Sequence, residues 1–214
     1  MQKKDGGSWI EGEHFVVSRP PNILADSKGY IHVIGFEPFD NQKDSAGRLF
    51  HVQFERLYTV KGSYKKTYLT EEDLRSNNLT LENFASLFNG ASIGTDDTIL
   101  VAYENSTHNN IIGTFSIGAR IYNPKFGQWV YETVSQNMNS RYAYPFTFVS
   151  DKYYHVLAIE DMPDPDYANL TAQHKAYQYR YRAVKHFQRL RAGGSWEETT
   201  LINFNDNPNI TKQR

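Results

Sequence analysis

Hydrophobic and polar positions alternate along this chain in short runs, and tight-turn residues separate the runs. Residues 22–37 read Asn-Ile-Leu-Ala, then Asp26-Ser27-Lys28-Gly29, then Tyr-Ile-His-Val-Ile-Gly-Phe-Glu. A short strand, an Asp-centred turn and a second strand of β-branched and aromatic residues make a β-hairpin. Stretches 89–104 and 144–160 repeat the plan around Asp96-Asp97 and Ser150-Asp151. Their second strands end on Phe36-Glu37, Tyr103-Glu104 and Ile159-Glu160, at spacings of 67 and 56 residues. A third strand fits 48–55, 111–122 and 176–184; the last alternates, with Tyr177, Tyr179 and Tyr181 on one face and Arg180 and Arg182 on the other.

A fourth strand follows a recurring tryptophan. Gly6-Gly7-Ser8-Trp9 leads after eleven residues to Pro21-Asn22-Ile23, and Gly193-Gly194-Ser195-Trp196 leads after eleven to Pro208-Asn209-Ile210. Phe126-Gly127-Gln128-Trp129 is a looser copy, with Pro145 sixteen positions on. Repeats of four short antiparallel strands at this length predict an all-β chain built of β-propeller blades. The boundaries are an outer strand of a preceding blade at 8–17 and blades at 20–70, 71–135 and 143–204. Thr70-Glu71-Glu72-Asp73 signals a helical insertion at 71–88. Natural propellers have about four to eight blades, so about three blades predict a segment of a larger ring, completed by further blades or by self-association.

Composition narrows the chemistry. The 214 residues carry 23 Lys+Arg against 24 Asp+Glu, so net charge gives no reason to bind nucleic acid or an anionic membrane surface. No apolar run approaches the length of a membrane span, and residues 1–7 lack the apolar core of a signal peptide. Zero cysteine removes catalytic thiols and Cys-ligated zinc. P-loop, Gly-x-Ser-x-Gly and His-Glu-x-x-His patterns are absent, as is the Asp-box of propeller sialidases.

Several motifs together suggest a family. Asp26-Ser27-Lys28-Gly29-Tyr30-Ile31-His32-Val33, Trp129 after its Asn-Pro-Lys turn, and Ala143-Tyr144-Pro145 leading to Tyr154-His155-Val156 are three of them. The fourth is Asp161-Met-Pro-Asp-Pro-Asp166, followed by Asn169, His174 and the Tyr-rich strand. Over most of residues 20–204 the chain resembles the BNR-4 repeat propellers, which include the ulvan lyases and related polysaccharide-active proteins of bacteria. The resemblance implies a seven-bladed ring, a secreted or periplasmic location, and β-elimination next to a uronic acid. In that chemistry a His or Tyr takes the proton alpha to the carboxylate, and a cation neutralises the carboxylate.

The candidates for those roles are His32 with His51 and His155 with His174, each pair nineteen apart. His51, with Arg48 and Arg56 nearby in sequence, is the preferred base, and Tyr30 a candidate proton donor. Arg48, Arg180, Arg182 and Tyr179 are the candidates for holding an acidic sugar. Where the family's second strands often end on Arg, this chain carries Glu37, Glu104 and Glu160, and a carboxylate there would repel a uronate. The alternative is a non-catalytic module that binds carbohydrate or protein, with the histidines and aromatics as blade packing. Between His174 and Arg191 six Lys/Arg interleave with tyrosines. That pattern suits phosphate or sulfate, but it equally describes a strand that balances the acidic Glu160, Asp161, Asp164 and Asp166. The acidic run lacks the spacing of a calcium loop, so the expectation is no cofactor, with Ca²⁺ only as a structural ion.

Overall fold

A computed structural model of the chain describes residues 2–3, 9–10, 20–38, 47–54, 64–70, 89–107, 114–135, 141–163 and 179–206. In chain order the strands are β1 (Gln2–Lys3) and β2 (Trp9–Ile10), which pair, then β3 (Asn22–Ala25), β4 (Ile31–Pro38), β5 (Gly47–Phe54) and β6 (Tyr64–Tyr68). They continue as β7 (Asn89–Ile93), β8 (Ile99–Thr107), β9 (Thr114–Asn123) and β10 (Gln128–Ser135), then β11 (Arg141–Val149), β12 (Tyr153–Pro163), β13 (Tyr179–Leu190) and β14 (Glu197–Asn203). From β3 onward they form three antiparallel four-stranded sheets, each paired in chain order. A single parallel bridge, Arg141 to Phe115, joins the second sheet to the third. Among the described residues the only helical segment is a 3₁₀ turn at Phe204–Asp206, and no helix is long and apolar enough to cross a membrane. The expected helix at 71–88 and most of the strand at 8–17 lie outside the described residues.

The hairpin turns follow from their side chains. Asp26 Oδ1 accepts the backbone N–H groups of Lys28 and Tyr30 at 3.0 and 2.7 Å, and Gly29 takes φ 84° to close the turn. At the matching position of the second hairpin stands Asp97, a non-glycine residue at φ 64°. Its carboxylate accepts from Ser27 N at 2.7 Å and Ser27 Oγ at 2.6 Å, which ties the first turn to the second. Thr95 Oγ1 donates to Asp151 at 3.4 Å and so ties the second turn to the third. Asp97→Gly should therefore cost about 1 kcal/mol for the lost hydrogen bonds, and Asp97→Ala about 1–2 kcal/mol more for the left-handed backbone. Urea denaturation of the two variants checks this; equal midpoints would show that the backbone conformation carries no cost.

The sheets stack face to face. All six residues from Ile99 to Glu104 on β8 are fully buried, because both faces of the middle sheet are covered. Ile99, Val101 and Tyr103 meet Ile34, Leu49 and Leu69 of the first sheet. Leu100 and Ala102 meet Tyr142, Val156 and Phe187 of the third. Both junctions follow one rule: the face that carries Ile34, or Ala102 at its matching position, packs on the next sheet. This is how propeller blades bury their cores between neighbours.

The third strand of the third sheet extends to Leu190, beyond the expected 176–184. Alternation continues through the basic run, with Val184, His186 and Gln188 on one face and Phe187 and Arg189 on the other. Arg182 stands at a bulge: Glu160 pairs with Ala183 and Asp161 with Tyr181. The regular Tyr/Arg alternation read from sequence is therefore interrupted there.

Candidate functional site

His32 on β4 and His51 on β5 lie diagonally across the strand pair, because His51 is opposite Ile34 and His32 opposite Gln53. Their rings stack at 5.1 Å, and His32 Nδ1 lies 2.9 Å from His51 Nε2. Asp26 Oδ2 is 3.5 Å from His32 Nε2. A carboxylate there favours the proton on His32 Nε2, so His32 Nδ1 accepts from His51 Nε2–H and His51 keeps a lone pair on Nδ1. Burial pushes His51 down from 6.5 to about 3, and charge on His32 and Lys65 adds to the fall. Burial also lowers His32, against the opposing pull of Asp26. Both rings are therefore neutral at neutral pH.

His51 opens onto a cavity of about 360 Å³ between the first and second sheets. Gln53, Lys65 and Thr67 line it from the first sheet, and Arg120, Tyr122, Gln128 and Trp129 from the second. Strand alternation puts Arg120 and Tyr122 on the face of β9 turned toward the first sheet, and Trp129 is registered against Tyr122. Trp129 meets the edge of His51 at 5.1 Å and lies 5.2 Å from Tyr122. The Arg120 guanidinium sits 5.1 Å above the Tyr131 ring. The rings of Tyr122 and Trp129, the cations of Lys65 and Arg120, the amides of Gln53 and Gln128 and the hydroxyl of Thr67 are among the groups around the space, and the described lining contains no carboxylate.

The equivalent positions elsewhere show what is particular to this junction. In the second sheet Leu100 and Ala119 replace the histidines, and Trp196 packs on that apolar cluster. Trp196 Nε1 donates to Glu132 at 2.9 Å, and Arg189 pairs with the same carboxylate at 2.7 Å. The recurring tryptophans are thus junction residues in both cases. In the third sheet the pair returns: His155 Nδ1 is 3.0 Å from His186 Nε2, and the rings stack at 5.3 Å. No protein-family model matches the chain, and no curated protein matches it.

Of the residues expected from sequence, the structure brings His32 and His51 together. It places Arg48 on the opposite face of β5, bound to Glu37 at 3.4 Å and to the Tyr68 hydroxyl at 3.1 Å. Tyr30 sits in the first hairpin turn, its N–H donated to Asp26, and does not line the cavity. Arg182 is exposed and lies 3.8 Å from Glu160. Tyr179 and Arg180 belong to β13; their side chains, and all of His174, lie outside the described residues. His155 pairs with His186, a residue the nineteen-residue spacing did not indicate.

The three glutamates at the second-strand ends are each engaged by groups of the protein itself. Glu37 accepts from Lys66 at 2.9 Å and from the Tyr68 hydroxyl at 2.8 Å; burial works to raise its pKa, but these bonds and the charges of Lys66 and Arg48 hold it below the usual range. Glu104 is buried and accepts the Tyr144 N–H at 2.9 Å. Glu160 lies 3.5 Å from Lys185. Among the described residues no group of three or more His, Asp or Glu side chains stands ready to hold a metal ion; Asp164 and Asp166 lie outside them. The wall of Lys65, Arg120, Tyr122 and Trp129 escaped the sequence reading, although the Gly-Gln-Trp turn marked one of its members.

Proposed function

We propose that this chain is part of a secreted or periplasmic β-propeller of the BNR-4 kind acting on polysaccharide, and that the cavity at His51 seats a sugar of the bound chain. The lining carries this reading: Trp129 and Tyr122 offer ring faces for a pyranose, while Gln53, Gln128 and Thr67 offer hydrogen bonds and Lys65 and Arg120 positive charge. Binding is favoured over cleavage because a buried imidazole with its pKa near 3 is a weak base for proton abstraction. Lyase chemistry is the second reading, favoured by the Asp26–His32–His51 series, which orients one lone pair.

Titration with uronate-containing and neutral polysaccharides, followed by isothermal calorimetry, tests the site. Trp129→Ala should weaken binding at least about tenfold, or ~1.4 kcal/mol, whereas Trp196→Ala at the other junction should leave it unchanged. Equal losses in both variants, or no binding to any polysaccharide, would remove this site. Rising ultraviolet absorbance from an unsaturated uronate product, abolished by His51→Gln, would instead establish the lyase reading.

A further inference from the structure

The cavity wall holds a polar atom that no described residue satisfies. His51 is only 4% exposed, and its Nε2 is engaged by His32 Nδ1 at 2.9 Å. Its other nitrogen, Nδ1, makes no hydrogen bond to any described residue, and unlike His32 Nε2 it is not sealed off from the space beside it. A largely buried polar atom of this kind costs stability until a partner reaches it. Which partner it accepts depends on where the two histidines carry their protons.

Two neutral arrangements are open to the pair. In the first, His51 donates its Nε2–H to His32, and Nδ1 shows the cavity a lone pair. In the second, His32 donates its Nδ1–H to His51, and Nδ1 shows the cavity an N–H. The second also turns the lone pair of His32 Nε2 toward Asp26 Oδ2, 3.5 Å away, and repulsion between buried groups is little screened. Asp26 is held in place, because its Oδ1 accepts the N–H groups of Lys28 and Tyr30. The third sheet lacks this control: the Ser150 hydroxyl, 3.1 Å from His155 Nε2, can donate or accept. Around the cavity Lys65 and Arg120 only donate. A ligand's oxygens therefore suit those cations, and its hydroxyl hydrogen suits His51.

We infer that Asp26 fixes His51 Nδ1 as an acceptor, and that the cavity takes its ligand through a hydroxyl group donated to that nitrogen. The hydroxyl assignment rests on the sugar reading above, whereas the role of Asp26 does not. Asp26 is a positioning residue: it acts through His32 and lies a hairpin turn away from the ligand. In Asp26→Asn the amide oxygen still accepts from Lys28 and Tyr30, while the amide nitrogen replaces Oδ2 and donates to His32 Nε2. Both histidine protons then change places, and the cavity exchanges an acceptor for a donor with its shape unaltered.

Long-range proton–nitrogen correlation spectra of the isotope-labelled chain at neutral pH show which nitrogen of each histidine carries the proton. His51 should be protonated on Nε2 in the wild type and on Nδ1 in Asp26→Asn, with the His155 and His186 signals unchanged. Added uronate-containing polysaccharide should shift the wild-type Nδ1 signal, and Asp26→Asn should weaken its binding about fivefold or more, as loss of one hydrogen bond implies. A wild type protonated on Nδ1 overturns the inference without recourse to any variant. So does a folded Asp26→Asn in which His51 stays protonated on Nε2. Polysaccharide that shifts the Trp129 indole signal but not His51 Nδ1 removes the hydroxyl assignment and leaves the sugar site standing. Absence of any binding removes both, and the histidine protons still decide the role of Asp26.

Discussion

Acidification from pH 6.5 toward 5 is expected to destabilise the protein before its carboxylates titrate. In the unfolded chain His51 takes up a proton near its ordinary 6.5, but in the folded chain burial holds it neutral down to about 3. Between those values the unfolded state binds more protons, so stability falls as pH falls, by up to ~1.4 kcal/mol per unit for this one residue. Above 6.5 the residue contributes no slope. His32 and His155 are lowered in the same direction, chiefly by burial, and steepen the loss. The carboxylates Asp96, Asp97 and Glu37, all held below their usual range, add theirs only at lower pH.

A kcal/mol corresponds to about 2–4 °C in a chain of this size, so thermal melts between pH 7 and about 5 resolve the effect. His51→Gln, which keeps a hydrogen-bonding group beside His32 and cannot titrate, should flatten the slope by about one proton. Parallel curves for the variant and the wild type would mean that His51 protonates freely in the folded state. The cavity would then be far wetter than its aromatic wall indicates.

Much of this architecture was legible in the sequence because it is local. An Asp that bonds its own turn, as Asp26 does with Lys28 and Tyr30, fixes a hairpin within a few residues. Alternation then carries register along the strands that follow. The site was legible only in part, because it is not local. A spacing of nineteen paired His32 with His51 correctly, but spacing depends on loop length and register does not. In the third sheet the partner is His186, 31 residues from His155. The pattern that survives the longer loop is His-x-Gln on the third strand, His51-Val-Gln53 and His186-Phe-Gln188, with Gln opposite the first His in each case. Arg48 is close to His51 in sequence, yet three positions along a strand is the opposite face. The far wall of the cavity comes from another sheet and becomes visible only once the stacking order is known.

The stacking order rests on how closely the inner strands approach, and Gly90 is where a single methyl group should do most damage. A Cβ built there would stand 2.3 Å from the carbonyl oxygen of Pro145 and 3.0 Å from the Cα of Phe146. Both are backbone atoms of β11, so no rotamer change relieves the clash. Nor can β11 yield cheaply. Tyr144 holds φ 54° at an irregularity in the β11–β12 register, its N–H bonded to the buried Glu104 carboxylate, and Tyr142 two residues before it packs in the core shared by the second and third sheets. Moving the strand stretches that bond and opens that core together. Gly90→Ala should therefore cost about 3 kcal/mol or more, the upper end for overpacking. Gly94→Ala makes the informative comparison, because its new methyl would meet first Val149 Cγ1, at 2.7 Å, at the end of a side chain. That contact is with a buried β-branched side chain rather than with backbone, so it should cost less than Gly90→Ala, about 1–2 kcal/mol. Urea midpoints for the pair separate the two cases: a large gap locates the rigidity in the backbone contact between β7 and β11. Near-equal midpoints would show that the inner strands slide freely, and the sheets would then be aligned by their turn-to-turn hydrogen bonds and aromatic junctions instead.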